Sequence, residues 1–416
     1  MLTQEQESAV SMCLDQSERI IGVTGAAGTG KTLVLGKAYT ELRKSMPASA
    51  IVLCAPTGRA AKRIQELTGI HAVTIHRLLE FPTPNDPIDL TIKGREEEHI
   101  VVANANTDHE PRRSRSNPII QKMVFVDESS MIGETLYHQL VNALPARGCI
   151  RFFGDNNQLP PVEDGRQPFM DVLADKPSIT LTLNFRSDDE IVSNAQRILK
   201  GSIPQKNSRF EIVYTDKPLQ ELALFAKRDE FGIATNQIIM PTRTGKFGTQ
   251  RMNTSLQLKF NPRGDSLRLS RFTPEEAPLL VRPHDKFLWI KNDYTLELFN
   301  GEIGMIDWIN AEDGTLGIAT PDRQVNVPAR IKTYSPYLGH HINYDPRKQI
   351  ELGYAITTHK SQGSEFDIVV YCMTRSASFL INRQNFYTGI TRAKQRVIVI
   401  ADRMAMSRAM MRRKHM

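Results

Sequence analysis

The octapeptide GAAGTGKT at residues 25–32 constrains this chain more than any other feature, because it follows an apolar run and opens a helix-like stretch from Lys31 to Leu42. It satisfies G-x-x-x-x-G-K-[ST] in full, in the strand, loop, helix setting that the pattern requires. Gly25, Gly28 and Gly30, with Ala26, Ala27 and Thr29 between them, let successive backbone N–H groups converge on phosphate oxygens. The helix N-terminus adds a favourable dipole, Lys31 neutralises terminal phosphate charge, and the Thr32 hydroxyl suits Mg²⁺. A nucleoside triphosphate pocket at the end of a buried strand is the first expectation.

The alternation of strand and helix continues. An apolar run from Ala50 through IVLCAPT leads into a helical stretch from Gly58, residues 123–126 lead into Asp127-Glu128 and a polar helix, and residues 149–153 end at Gly154-Asp155. Strands alternating with helices imply a parallel sheet wound on both sides. Asp127 and Glu128 then stand at the carboxyl edge of that sheet, beside the phosphate loop. There Asp127 would hold magnesium through its water shell, and Glu128 would orient and deprotonate the attacking water. A second alternating region starts near Phe185, resumes at 238–241 and returns after Glu351 with the apolar runs 366–373 and 396–401.

Two stretches break the pattern. Between 81 and 118, Pro82, Pro84 and Pro87 precede a polar segment with one short β-like run, which suits either a hairpin insertion or a solvated loop. From about 285 to 344, the short runs KFLWIKND, GEIGMIDWIN, TLGIAT and RQVNVP predict a small β barrel, with Asn300-Gly301 in a tight turn. A length of 416 residues fits two or three compact units, and 40% hydrophobic with 24% charged residues excludes a disordered chain. The formal charge of +7 suits a polyanionic partner. Cys13, Cys54, Cys149 and Cys372 show no C-x-x-C spacing and read as buried thiols of a reducing compartment. The N-terminus lacks a signal-peptide pattern, and no apolar run approaches the roughly 20 residues that cross a bilayer. A soluble, cytoplasmic protein with no membrane partner is expected.

In order along the chain stand TQEQ after Leu2, GAAGTGKT, APTGRAAKR from Ala55, TIHRLL from Thr74, VDESSM from Val126, GDNNQLPPV from Gly154, LNFRS from Leu183, PTRTGKFG from Pro241, THKSQGSEF from Thr358 and YTGITRAK from Tyr387. These signatures resemble the superfamily 1 helicases, and within them the RecD/Dda-like branch that moves 5′ to 3′, over nearly the whole chain. The resemblance implies an α/β fold of two RecA-like P-loop NTPase domains with parallel wound sheets, plus a β-hairpin pin and an SH3-like β-barrel insertion. The expected division is 1–80 with 119–183 for the first RecA-like domain, 81–118 for the pin, 184–284 with 345–416 for the second, and 285–344 for the barrel. Dda-type proteins carry a histidine where this chain has Gly58, and APTGRAAKR is closer to the RecD type, while the brevity is nearer Dda. A minimal, self-contained motor is expected.

The resemblance also assigns residues, with ATP and Mg²⁺ as cofactors. Gln6 would read the adenine edge, and Gln158 would sense the terminal phosphate. Arg186 and Arg392 would arrive from the second domain to stabilise charge on the transferred phosphoryl group. Gly363 and Glu365 would line the second-domain wall of the cleft, Glu365 as a ribose partner. Pro56, Thr57, Arg59, Thr74, His76, Pro161, Thr358, His359 and Lys360 would lie along the single-strand backbone. Hydroxyls, N–H groups and prolines there grip phosphate and sugar without reading bases.

Three functions fit this pattern. One is an ATP-dependent DNA helicase moving 5′ to 3′ on single-stranded DNA, acting at duplex junctions as a monomer, with a single-strand-binding or replication protein as partner. A second is a single-stranded DNA or RNA translocase that displaces bound proteins without separating strands. A third is a nucleotide-gated binding module, against which Glu128, Arg186 and Arg392 argue, since a switch that only binds needs none of them. The motor readings require Lys31 and Arg392 to face one seam.

Overall fold

The computed structural model describes residues 2–81, 110–161, 167–183, 190–225, 234–271, 277–293, 295–335, 340–377 and 380–411. The hairpin expected at 81–118 therefore lies for the most part outside the described residues.

Six parallel strands make the first sheet: β1 (Ile20–Gly25), β2 (Ile51–Ala55), β3 (Ala72–Thr74), β4 (Met123–Val126), β5 (Cys149–Gly154) and β6 (Ser178–Leu181), in the order β3-β2-β4-β5-β1-β6. Successive side chains of a strand point to opposite faces, so each apolar strand feeds two cores. Val23, Leu53, Phe125 and Phe153 pack on one face with Ala9 of α1 (Gln4–Leu14), Val34 and Leu35 of α2 (Lys31–Leu42) and Ile64 of α3 (Gly58–Thr68). Val124, Val126, Ile150 and Phe152 pack on the other with Ile75 of α4 (Ile75–Leu78), Leu140 of α5 (Glu134–Asn142) and Phe169 of α6 (Pro168–Asp175). The helix ends follow local chemistry. Thr3 and Gln6 close a capping box at the start of α1, Thr57 caps α3, and Gly69 ends α3 at φ 70°.

The second sheet is also parallel. Its strands are β7 (Phe210–Tyr214), β8 (Gln237–Met240), β18 (Ala355–Thr357), β19 (Phe366–Met373) and β20 (Ala393–Ala401), in the order β18-β8-β19-β20-β7. Ile239, Val369, Val397 and Val399 meet α7 (Glu190–Leu199), α10 (Arg383–Ile390) and α11 (Arg403–Met411) through Ile198, Phe386 and Met406. On the opposite face Ile238, Val370 and Ile398 meet Leu222 of α8 (Pro218–Phe225) and Leu256 of α9 (Thr249–Phe260).

Between β8 and β18 the texture turns antiparallel. A short ribbon pairs β9 (Leu267–Leu269) with β10 (Leu279–Val281), and a five-stranded sheet follows. It joins β11 (Lys286–Trp289), β12 (Ile303–Ile309), β13 (Leu316–Ala319), β14 (Gln324–Val327) and β17 (Ile350–Leu352), in the order β14-β13-β12-β11-β17 around Trp289, Ile306, Leu316 and Ile318. The four short runs read from sequence are β11 to β14. The sheet also recruits β17, beyond residue 344, while β15 (Ile331–Ser335) and β16 (His340–Tyr344) form a ribbon of their own. Asn300-Gly301 sits in a turn closed by Glu302 N–H donating to Phe299 O at 3.0 Å, with Gly301 at φ 90°. The four cysteines are free and buried, and burial pushes Cys13 up to about 12. Among the described residues no helix is long and apolar enough to cross a membrane.

Candidate nucleotide site and nucleic-acid face

All the described candidate groups from the first sheet gather at one edge. β1 runs into the phosphate loop, β2 into Pro56-Thr57, β3 ends at Thr74, β4 runs into Asp127-Glu128 and β5 into Asp155. The carboxyl edge of a wound parallel sheet is where such a fold leaves a crevice for ligands.

The loop after β1 turns through Gly28 at φ 89° and Gly30 at φ 82°, a region open to glycine and strained for residues with a side chain. Lys31 Nζ donates to the carbonyls of Gly25 at 2.7 Å and Ala26 at 3.0 Å. Gln6 braces the loop from outside: its amide donates to Thr29 O at 3.1 Å while its Oε1 accepts the Thr3 N–H. Both ends of the Gln6 amide are thus engaged within the protein, a bracing role not foreseen in the sequence.

Thr32 Oγ1 donates to Asp127 Oδ2 at 3.0 Å, bringing together the two hard oxygen donors expected around magnesium. Glu128 takes a left-handed backbone at φ 53°, uncommon for a residue with a side chain, and its N–H donates to Asp127 Oδ1 at 2.8 Å. Burial pushes its carboxyl above the ordinary range. Arg392 pulls it down, Asp127 pushes it up, Lys31 pulls it down and Asp155 pushes it up. Lys31 from the first sheet and Arg392 from the second therefore act on one carboxyl, across one seam. Arg392 is 5% exposed, its Nε donating to Thr388 O at 3.1 Å. Gln158 is buried behind Asp155, and among the described residues its Oε1 has no hydrogen-bond partner. An acceptor buried without a donor fits a site that awaits a ligand. Arg186 lies outside the described residues.

The seam also contains groups that sequence reasoning did not single out. Tyr387 donates to Asp155 Oδ2 at 2.7 Å and accepts from the backbone of Ala27 in the phosphate loop. Leu159 N–H donates to Thr388 Oγ1, and Gln362 Nε2 donates to Leu159 O, each at 3.0 Å. Their only signal in the chain was membership of the segments GDNNQLPPV, YTGITRAK and THKSQGSEF.

Of the candidate nucleic-acid residues, Pro56, Thr57, His76 and Pro161 are half-buried in the first half of the chain, and His359 and Lys360 are half-buried just after β18 of the second sheet. Thr57 and Thr74 spend their hydroxyls on capping α3 and α4, accepting from Ala60 N and Arg77 N. The His76 ring tilts against Phe81 with centroids 4.8 Å apart, and burial holds its pKa below the ordinary value. Burial also lowers the Lys360 pKa, with Glu351 opposing.

Two of the candidates bond within the protein. Thr358 is fully buried and donates to Asn385 Oδ1 at 2.6 Å, because the chain leaving β18 turns inward, so its hydroxyl does not face a polymer. Arg59 turns into the molecule. Its guanidinium donates to Gly301 O at 3.1 Å, stands 5.5 Å from the centroid of the Phe366 ring, and is pushed down to about 10 by burial. Gly363, at φ 71°, faces Ala60 and Thr57, and Glu365 pairs with Arg63 at 2.7 Å, so both pack along α3.

A protein-family profile described as AAA domain matches residues 1–213, and one described as UvrD-like helicase C-terminal domain matches 352–400. The ATP-dependent RecD2 DNA helicase of Deinococcus radiodurans is 32% identical over 402 residues, covering 95% of this chain and 48% of that protein. The RecBCD enzyme subunit RecD of Mycolicibacterium smegmatis is 27% identical over 444 residues, covering 95% of this chain and 70% of that one. The chain thus spans about half the length of the first relative. Among solved structures, Pif1 helicase from Bacteroides in complex with ADP-AlF3 and ssDNA aligns with TM-score 0.61 at 18% identity, over 99% of this chain and 95% of that one. Pif1 helicase from Candida albicans aligns with TM-score 0.61 at 19% identity, over 100% and 98%. At these identities the structures speak to the fold alone.

Proposed function

Because the chain belongs to the AAA-domain family and is a superfamily 1-like helicase related to the RecD and Pif1 branches, we propose that it is an ATP-dependent DNA helicase that moves 5′ to 3′ on single-stranded DNA and separates duplex at junctions. The observation that carries this reading is Glu128, a half-buried carboxyl on which Lys31 of the first half of the chain and Arg392 of the second both act. A triphosphate bound between them meets complementary catalytic groups on two separately folded sheets, so cleavage alters how those sheets sit relative to each other.

In the reaction Lys31 leaves the Gly25 and Ala26 carbonyls to neutralise phosphate charge, and Glu128, deprotonated, orients the attacking water and takes its proton. Arg392, with Arg186, stabilises charge on the transferred group. Gln158, whose Oε1 has no hydrogen-bond partner among the described residues, would register the terminal phosphate or its water. Thr32 and Asp127 would hold Mg²⁺, which supplies charge neutralisation on the phosphates. Gln6, released from Thr29, would turn its amide to the adenine. We read the two parallel sheets as RecA-like domains, 1–80 with 119–183 and 184–284 with 345–416, acting in a monomer of the cytoplasm. Single-stranded DNA would cross the shared carboxyl edge over Pro56, Thr57, His76, Pro161, His359 and Lys360. An unwinding assay with 5′-tailed and 3′-tailed duplexes, in DNA and in RNA, tests the reading. Separation of 5′-tailed DNA alone is expected, and a preference for 3′ tails or for RNA would reject it.

A further inference from the structure

The antiparallel sheet of β11 to β14 and β17 has two faces with different surroundings. One packs around Trp289, Ile306 and Leu316. The other is covered where it meets the second parallel sheet: Leu288 and Ile303, paired across β11 and β12, join the core that contains Val369 of β19. From residue 307 onward that covered face gives way to an open one, on which Asp307, Trp308, Gln324 and Asn326 are exposed.

A β-bulge makes the change. Ile306 pairs with Ile318 and Trp308 with Gly317, so Asp307 is the extra residue. In a regular strand Asp307 would stand outward and Trp308 would point inward beside Ile306. The bulge turns Trp308 outward too, and its indole lies over Gly317, where a β carbon would come 2.2 Å from the indole nitrogen. Asp307 stays on the same face, its Oδ2 accepting from Gln324 Nε2 at 3.4 Å. A bulge interrupts the ladder and a glycine weakens a strand interior. Here both serve to hold an indole, 39% exposed, beside a carboxylate.

Charge selects the occupant. Glu312 and Asp313 are exposed in the loop that joins β12 to β13, next to Asp307 and Trp308 in the chain. The outward residues across the sheet, Gly317, Ala319, Gln324 and Asn326, include no cation. Arg347, which reaches the loop at Gly314 O, is held by both carboxylate oxygens of Asp345. This acidity runs against the chain's net charge of +7 and disfavours phosphate. An indole face attracts a cation, and a neighbouring carboxylate adds to the attraction. We propose that the outer face of the barrel around Trp308 is a docking surface for a lysine- or arginine-rich segment of a partner protein, one cationic side chain lying between the Trp308 ring and the Asp307 carboxylate. The surface continues the strip that Leu288 and Ile303 already bury within the chain.

The test uses the full chain and fluorescein-labelled octa-arginine, with anisotropy for affinity and acrylamide quenching of tryptophan emission for location. Trp289 is fully buried, so quenching reports Trp308. Octa-arginine is expected to bind and to shield Trp308 from acrylamide. Trp308→Ala and Asp307→Asn should each weaken binding by about fivefold, and Trp308→Phe by less, with melting temperatures unchanged. Equal affinity of wild type and Trp308→Ala would mean that charge elsewhere holds the peptide, and would overturn the proposal. So would shielding of Trp308 by an oligothymidylate and not by octa-arginine, which makes the face a platform for nucleic acid. Self-association of the wild type that Trp308→Ala abolishes in sedimentation makes the occupant a second copy, and overturns it equally. Should Trp308→Ala fail to fold, Asp307→Lys decides: a loss of about tenfold or more is expected, and unchanged binding rejects the site.

Discussion

Glu128→Gln removes one charge and one proton acceptor while keeping the shape of the side chain. The half-buried carboxyl shares its surroundings with Asp127 and Asp155, so it adds negative charge where a triphosphate would enter, and the amide relieves part of that repulsion. Binding of ATP is therefore retained or tightened. General-base catalysis contributes about 10² to 10⁴ in rate, which at about 1.4 kcal/mol per decade is roughly 3–6 kcal/mol of barrier. The variant should lose at least 10² in kcat at saturating single-stranded DNA, with a KM for ATP no higher than wild type. The pH dependence carries a sign. Burial raises the Glu128 pKa, and a base works only when deprotonated, so the wild-type rate climbs as pH rises through a value above the ordinary carboxylate range. That acidic limb should vanish in Glu128→Gln. The assays are steady-state phosphate release from pH 5 to 8 and titration with a fluorescent ATP analogue. Turnover within threefold of wild type, or an unchanged acidic limb, would refute the assignment of the base.

Arg392→Ala should lower kcat by about 10³ or more, measured by phosphate release, because no other described cation from the second sheet is seen acting on Glu128. Lys360→Ala should reduce the salt slope of single-stranded DNA binding by roughly 0.7, whereas Arg59→Ala should leave it unchanged because Arg59 is bonded to Gly301 inside the molecule. Fluorescence anisotropy at several salt concentrations reads both. Asp285→Ala should destabilise the fold by about 3 kcal/mol in urea melts, since the buried carboxylate accepts from Gln257, Asn261, Tyr354 and the Arg282 N–H.

Local rules of the chain determined the phosphate loop, the helix from Lys31 to Leu42, the strand before Asp127-Glu128 and the four short strands β11 to β14. Glycine freedom, period-two burial and helix capping act over a few residues, so a run of sequence carries them in full. The same rules placed most candidate groups at strand ends, since each one follows an apolar run.

Where a side chain went after leaving its strand end was decided by contacts between distant segments. Arg59 meets Gly301 across 242 positions, Tyr387 meets Asp155 across 232, and Gln362 meets Leu159 across 203. Periodicity holds no record of such pairs, because it reports which face of an element is buried and not what buries it. Thr358 looks like an exposed hydroxyl in a polar string, yet the turn after β18 puts it against Asn385, and Gln6 looks like helix surface, yet it holds Thr29. That the candidate groups lie at the carboxyl edge was determined by the chain alone; which of their side chains are bonded within the protein was decided only when the sheets met.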